Sequence, residues 1–214
     1  GFRMRAEFRF WHDETTANYV MFQKGDPHTP HIINDFAIGH PQINQLMKSL
    51  RQEILNNKEL KQKLFQIEFL TTLAGDNLIT LIYHKPLDES WQSIAQELES
   101  KLDVSIIGRS RKQKVVISKD YVNEKLSVNG KGLHYQQIEG SFTQPNAYIN
   151  QHMLEWTQQL VSPTNTDFLE LYCGNGNFTV ALANKFNKVL ATEISKPSVK
   201  SANINFESNN IIQI

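Results

Sequence analysis

The chain has 214 residues, with 22 Lys and Arg against 22 Asp and Glu, so its net charge at neutral pH is zero. This balance excludes a protein that is cationic over its whole surface, although it allows a local basic face that contacts nucleic acid. The single cysteine excludes an internal disulfide and a cysteine-based zinc cluster, and it indicates a cytoplasmic protein. No apolar run approaches about 18 residues, so no membrane span is predicted.

Residues 1 to 138 alternate predicted strands and helices, which indicates an α+β domain. The periodicity predicts helices at 41–55 and 86–101, and strands at 2–12, 18–23, 64–73, 78–84, 104–107, 115–117, 121–126 and 132–138. The polar side of the first strand carries Arg3, Arg5 and Arg9. Such a face either contacts phosphates and bases or is simply solvated, and the pattern alone favours a solvated face.

Two loops in this domain have residues that could bind a ligand. The Gly and Pro content of residues 25–31 predicts a loop, in which His28 and His31 have no cysteine or acid cluster nearby. We therefore expect no metal site. Residues 108–114 contain four cations in seven positions and cap a predicted hairpin. This basic tip is equally consistent with a phosphate contact and with a solvated turn.

A connector, SFTQPN at 141–146, precedes the second part of the chain. Pro145 disfavours a helical conformation at Gln144, because the proline ring clashes with the backbone of the residue before it. Asn146 is the predicted N-cap of a helix that runs from 147 to about 160.

The next stretch has the order of half a nucleotide-binding βαβ unit. A strand, a glycine turn, a helix and a second strand are predicted in succession, at 168–172, 174–176, 178–186 and 189–191. Gly174 and Gly176 allow left-handed backbone angles and close approach of a ligand. Glu193 lies 19 positions after Gly174, near the spacing of about 20 for an acid that binds ribose hydroxyls.

The details of this turn favour S-adenosylmethionine (SAM) over a dinucleotide. A dinucleotide site requires a third glycine at position 179, where this chain has Thr179. Glu170 in the first strand and the turn Cys-Gly-Asn-Gly-Asn resemble the first motif of SAM methyltransferases, with Glu193 as the acid of the second motif. A dinucleotide-dependent enzyme is the disfavoured alternative.

Motifs along the whole chain resemble those of the RNA uracil-5 methyltransferases. The C-terminal motifs are SFTQPN, LELYCGNGNFTVALA and VLATEISKPSV, and the N-terminal ones are RMRAEFRFWHD, KLFQIEFLTTL and LIYHKPLD. The N-terminal motifs are similar to the tRNA branch of the family, which makes ribothymidine in the T-loop of tRNA. The resemblance implies an α/β protein with a tRNA-binding α+β domain at 1–138. It also implies that 139–214 is the N-terminal part of a Rossmann-like SAM-binding catalytic domain.

The same resemblance implies roles for individual residues. Gln144, Tyr172, Asn177 and Glu193 match the positions that contact SAM, while Arg9, Phe65 and His84 match positions that contact tRNA. Phe65 can stack on an unstacked base and Arg9 can pair with phosphate. A buried Phe65 and a His84 that only ends a strand are the structural alternatives.

The family's nucleophilic Cys and general-base Glu have no match in this chain, so no catalytic residue is assigned. In the family, the thiolate adds to carbon 6 of uracil, carbon 5 attacks the methyl group, and a base removes the carbon 5 proton. The single cysteine, Cys173, lies in the glycine turn and is interpreted as a packing residue. Residues 211–214 are expected to form a third strand, and the sequence is expected to be an internal piece of a longer protein.

The leading hypothesis is a monomeric tRNA (uracil-5-)-methyltransferase piece that binds SAM and the tRNA T-arm but is inactive alone. A uracil-5 methyltransferase of 23S ribosomal RNA is the nearest alternative. A non-catalytic RNA-binding or chaperone module is the alternative from another class.

Overall fold

The computed structural model describes residues 1–26 and 28–214, and the chain divides into two compact units. The first unit contains residues 1–71 and 77–120, and the second contains residues 72–76 and 121–214. The segment 121–138, which the sequence pattern grouped with the first domain, is therefore part of the second compact unit.

The first unit contains one seven-stranded sheet and three helices. The strands are β1 (Arg5–His12), β2 (Ala17–Phe22), β3 (Pro30–Ile32), β4 (Leu64–Thr71), β5 (Asn77–Tyr83), β6 (Ser105–Ser110) and β7 (Gln113–Val116). The helices are α1 (Pro41–Asn56), α2 (Lys58–Lys61) and α3 (Glu89–Leu102). The strand order is β3-β2-β1-β4-β5-β6-β7. Among the described strands of this sheet, only β5 and β6 pair in parallel, and α3 connects them as the crossover that a parallel pair requires.

Alternation in β1 and the apolar stripe of α1 build the core of this unit. Ala6, Phe8 and Phe10 are buried, whereas Glu7 and Arg9 between them are exposed. The buried stripe of α1 is Ile43, Leu46, Met47, Leu50 and Ile54, the face predicted from its helical period. Burial of each large apolar side chain stabilises the fold by about 1.5–3 kcal/mol.

The end of the predicted loop 25–31 is a strand in the structure. Pro30 and His31 belong to β3, which pairs antiparallel with β2 at the sheet edge. Proline is tolerated there because an edge strand leaves N–H positions unpaired. Pro27, also in the predicted loop, lies outside the described residues.

The second unit combines a hairpin, three helices and a two-stranded parallel sheet. Its elements are β8 (Tyr121–Val128), β9 (Lys131–Ile138), α4 (Ala147–Leu160), β10 (Phe168–Leu171), α5 (Asn177–Leu182), β11 (Val189–Thr192) and α6 (Lys196–Ser208). Asn146 caps α4 as predicted, with its side chain accepting a bond from Ile149 N–H at 3.0 Å. The hairpin β8-β9 packs against α4 and α6. The parallel pair β10-β11 aligns Phe168 with Val189.

Three details of this unit differ from the sequence prediction. Residues 211–214 are not a strand, and the backbone bond from Val189 N–H to Gln213 O at 3.0 Å is far short of a ladder. The helix after the glycine turn is shorter than predicted, because Ala183–Lys185 tightens into a 3-10 turn. The sequence analysis predicts no element at 196–208, where the structure has helix α6. Among the residues that the structure describes, no helix has the length and apolar character needed to cross a bilayer.

Candidate cofactor and RNA sites

The turn between β10 and α5 adopts left-handed backbone angles at three positions. These are Tyr172 with φ of 59°, Gly174 with φ of 60° and Gly176 with φ of 80°. A Cβ on Gly176 would lie 2.6 Å from a ring carbon of Phe206, so packing against α6 also requires this glycine. A Cβ on Gly174 would meet open space, so only its backbone angle requires glycine. Tyr172 is strained and 84% exposed, a combination typical of ligand-binding turns.

Glu193 ties this turn to the end of β11. Its Oε2 accepts a bond from Gly174 N–H at 3.0 Å, and its Oε1 accepts bonds from Ile194 and Ser195 N–H at 2.8 Å each. These bonds, with Ser195 contributing most, lower the pKa of the carboxyl group. A carboxylate has about four acceptor positions. One position on Oε2 therefore remains, and a ribose with two hydroxyls can bind both oxygens only by displacing an amide.

Four predicted cofactor residues line one small cavity. The cavity has a volume of about 110 Å³, and its lining includes Gln144, Tyr172, Gly174 and Asn177. Gly176 and Glu193 are not part of this lining. The connector and the glycine turn thus contribute to the same cavity, although nothing in the spacing of the sequence relates Gln144 to Asn177.

Asn177 has two side-chain partners that the sequence did not reveal. Asn150 on α4 forms a reciprocal pair of amide bonds with it, at 2.9 and 2.8 Å. The hydroxyl of Tyr135 on β9 donates to the backbone oxygen of Asn177 at 3.0 Å. The sequence feature that could have indicated this contact is Asn150, a polar residue on the buried face of α4.

The residue that replaces the third glycine has a structural role. The hydroxyl of Thr179, which is fully buried, donates to Glu170 Oε2 at 2.5 Å and so joins α5 to β10. Burial raises the pKa of the Glu170 carboxyl group, and the bonds from Thr179 oppose this rise. A glycine at this position would lack the hydroxyl and leave Glu170 without that donor.

Cys173 is buried beside Glu170 and Glu193. Burial is the main cause that raises the pKa of its thiol to about 11, and the two carboxylates add to the rise. The thiol is consequently protonated at neutral pH, whereas nucleophilic attack requires the thiolate. This environment supports the interpretation of Cys173 as a packing residue.

The three predicted RNA residues lie together in the first unit. The guanidinium carbon of Arg9 is 3.8 Å from the centre of the Phe65 ring, and the Phe65 and His84 rings stack with centres 4.1 Å apart. Phe65 lies at an irregularity in the register of β4 and β5, between Leu64 and Gln66. A bulge re-aims a side chain, which explains why Phe65 is half-buried instead of part of the core.

A wide groove lies beside this stack on the polar side of β1. Its volume is about 830 Å³, and Arg3, Arg5, Arg9 and Glu7 contribute to its lining. Arg5 lies 3.9 Å from Glu68, so the charges of the groove are mixed.

Among residues 1–26 and 28–214, no group of three or more His, Cys, Asp or Glu side chains is arranged to hold a metal ion.

The basic tip at 108–114 is a hairpin turn, as predicted. Strand β6 ends at Ser110 and β7 begins at Gln113, so Arg111 and Lys112 form the turn itself. Lys114 pairs with Asp120 at 2.7 Å.

The profile of the tRNA (Uracil-5-)-methyltransferase family matches residues 1–214. The chain belongs to this family. A protein of Cellvibrio japonicus (strain Ueda107) named tRNA/tmRNA (uracil-C(5))-methyltransferase is 55% identical over 210 residues, which is 98% of this chain and 57% of the relative. A protein of the same name from Ectopseudomonas mendocina (strain ymp) is 52% identical over 210 residues and is covered to 58%. The chain thus spans somewhat over half the length of these curated relatives.

A solved structure has the same fold at low sequence identity. The Pyrococcus abyssi tRNA (uracil-54, C5)-methyltransferase, in complex with S-adenosyl-L-homocysteine, matches with a TM-score of 0.74 and 17% identity. The match covers 99% of this family member and 54% of the Pyrococcus chain. It confirms the predicted α/β fold class.

Proposed function

We propose that this family member is part of an enzyme that uses SAM to methylate carbon 5 of the T-loop uridine of tRNA, giving ribothymidine. The observation that carries the proposal is the convergence of Gln144, Tyr172 and Asn177 on one cavity beside the glycine turn. These are the residues that the family resemblance assigned to SAM. The names of the curated relatives indicate carbon 5 of uracil as the methylated atom and tRNA or tmRNA as the substrate.

The residues of the turn fit the methyl donor. A Cβ on Gly174 would meet open space, so a ligand has room beside this residue, and Tyr172 is 84% exposed. Asn177 and Gln144 supply amide groups to the cavity, and Glu193 has an acceptor position left for a ribose hydroxyl. SAM supplies an electrophilic methyl group when it is bound. The side chains of this turn would bind and orient it.

The stack of Arg9, Phe65 and His84 supports a role for the first unit in RNA binding. Sequence-specific proteins bind RNA largely through unstacked bases, which pack on aromatic rings or guanidinium planes. Arg9 and His84 are exposed and already contact Phe65, so they offer the outer surfaces for a base. Phe65 would support them, instead of meeting the base directly.

The chain alone is expected to bind without transferring methyl groups. Attack at carbon 6 of uracil needs a thiolate, and the thiol of Cys173 is buried, with its pKa raised to about 11. We further propose that the enzyme is a cytoplasmic monomer. Sedimentation of the chain at micromolar concentration tests whether it is monomeric.

Two measurements on the 214-residue chain test this function. Calorimetric titration with SAM, with NAD as the control ligand, should show saturable binding of SAM alone. A methylation assay with uridine-containing T-arm RNA should show no turnover by this chain. Binding of NAD instead of SAM would contradict SAM as the cofactor. Methyl transfer by this chain would contradict the interpretation of Cys173 as a packing residue. Competition between T-arm RNA and a 23S ribosomal RNA hairpin tests the substrate, and tighter binding of the hairpin would favour the ribosomal alternative.

A non-catalytic RNA-binding module is the second candidate. The observation in its favour is that Arg9, Phe65 and His84 all lie in the first compact unit, whereas the glycine turn lies in the second. T-arm RNA binding that is independent of both SAM and the turn residues would favour this candidate. Mutual enhancement of SAM and RNA binding would favour the methyltransferase.

A further inference from the structure

Asn150 is a polar residue on the buried face of α4. It is 6% exposed, and Ala147 and Leu154 on the same face are also buried. Burying an amide is unfavourable unless its hydrogen bonds are satisfied. Its partner is the side chain of Asn177, the first residue of α5.

The two amides bind each other reciprocally. Asn150 Nδ2 donates to Asn177 Oδ1 at 2.9 Å, and Asn177 Nδ2 donates to Asn150 Oδ1 at 2.8 Å. Each amide has two N–H donors and about two acceptor positions, so one donor and one acceptor of Asn177 remain for a ligand. The pair thereby couples the orientations of the two amides, because turning over the Asn177 amide alone would place donor against donor and acceptor against acceptor.

Other contacts hold Asn177 and α5 in the same arrangement. Tyr135 donates to the backbone oxygen of Asn177 at 3.0 Å, and Gln158 of α4 donates to Ala181 O at 2.6 Å. Helix α4 is therefore bonded to both the first turn and the end of α5. Both Asn150 and Asn177 line the cavity at the glycine turn.

We propose that Asn150 is a positioning residue of the cofactor site, which orients the amide of Asn177 toward the methyl donor through the reciprocal pair. The inference rests on the proposed function, because it assumes that SAM binds at this turn. It assigns a role in the site to a helix that precedes the nucleotide-binding motif.

The substitution Asn150→Asp gives a readout that a purely structural residue would not produce. A carboxylate accepts only, so one of its oxygens would face Asn177 Oδ1 without a proton between them. A protonated carboxyl group restores one donor and one acceptor. We expect the variant to bind SAM about tenfold more weakly than the unmodified chain at pH 8, and within about threefold of it at pH 5.

At each pH, the SAM dissociation constant of the variant is divided by that of the unmodified chain, because other ionisable groups surround the pair. Tyr135 on β9, Glu170 on β10 and Cys173 in the turn line the same cavity and are present in both proteins. Their titration cancels in the ratio. The matched control is Gln159→Glu, which adds the same charge at an exposed position of α4 and should leave the ratio near one at both pH values.

A second set of variants tests whether Asn150 acts through Asn177. Asn150→Ala should weaken SAM binding about tenfold in the unmodified chain and by less than about twofold in an Asn177→Ala background. Equal losses in both backgrounds, or an Asn150→Asp ratio that does not change with pH, would overturn the positioning role. Absence of SAM binding by the unmodified chain would instead overturn the proposed function, and the inference with it.

Discussion

The carboxylate of Glu193 offers the most informative perturbation of the glycine turn. Glu193→Gln conserves the shape of the side chain and removes its charge. The amide oxygen of glutamine can still accept from Ile194 and Ser195 N–H, the two bonds now made at 2.8 Å. Its amide nitrogen would then face Gly174 N–H, where Oε2 now accepts a bond at 3.0 Å. Two donors would meet, and the turn would lose its tie to β11.

The expected loss follows from this one contact. Leaving a partly buried N–H without its charged acceptor costs about 1–3 kcal/mol. We expect the free energy of unfolding to fall by that amount. SAM binding should also weaken by about 1–3 kcal/mol, because the turn loses its alignment and the ribose loses an anionic acceptor. Glu193→Ala should weaken SAM binding by a similar amount.

Urea denaturation and calorimetric titration with SAM measure the two quantities. The matched control is Glu207→Gln, an exposed acid on α6 of the same unit, which should change neither. The pKa of Glu193 is lowered in the folded protein, so its stabilising effect is present above about pH 4.5 and is lost as the pH falls through the lowered value. The variant should lack this dependence. Unchanged stability and unchanged SAM affinity in Glu193→Gln would refute the role of the carboxylate.

Three further predictions concern other parts of the chain. Phe65→Ala removes the ring that supports Arg9 and His84, so it should weaken T-arm RNA binding by no more than the ~1–3 kcal/mol that one stacked base contributes, measured by fluorescence anisotropy, while the exposed-strand control Val116→Ala should leave it unchanged; equal effects of the two substitutions would contradict a role for the stack in RNA binding. Cys173, whose thiol has a pKa of about 11, should react with iodoacetamide at pH 8 only after denaturation, and rapid labelling of the folded chain would contradict its protonated, buried state. Burial raises the pKa of Glu124 from 4.5, so its contribution to stability should decrease as the pH rises above about 4.5, and Glu124→Gln should remove that decrease in denaturation curves; an unchanged curve would contradict it.

Local patterns in the sequence were sufficient for the elements that carry strong signals. The period of α1, the cap at Asn146 and the order of strand, glycine turn, helix and strand after residue 166 were all predictable, because each depends on neighbours in the chain. The prediction of a third strand at 211–214 was wrong, since apolar β-branched residues form a strand only where a partner strand supplies the ladder. Helix α6 carries few apolar residues, and its buried face includes Ser198, Ser201 and Asn205. The sequence therefore shows no helical period of apolar residues at this position.

The candidate site was predictable as a set of residues but not as a geometry. The motif identified Gly174, Gly176 and Glu193, yet only the structure shows that Glu193 bonds the amide of Gly174. The bulge beside Phe65 and the pairing of Asn150 with Asn177 join residues that are far apart in the sequence. Such contacts depend on tertiary packing, which local periodicity does not encode.

A crystal of the 214-residue chain soaked with SAM tests the central claim most directly. The account predicts electron density for the donor against the turn between Tyr172 and Asn177, with its ribose within hydrogen-bond distance of Glu193. Density for the donor at another place in the molecule, with this turn empty, would contradict the account.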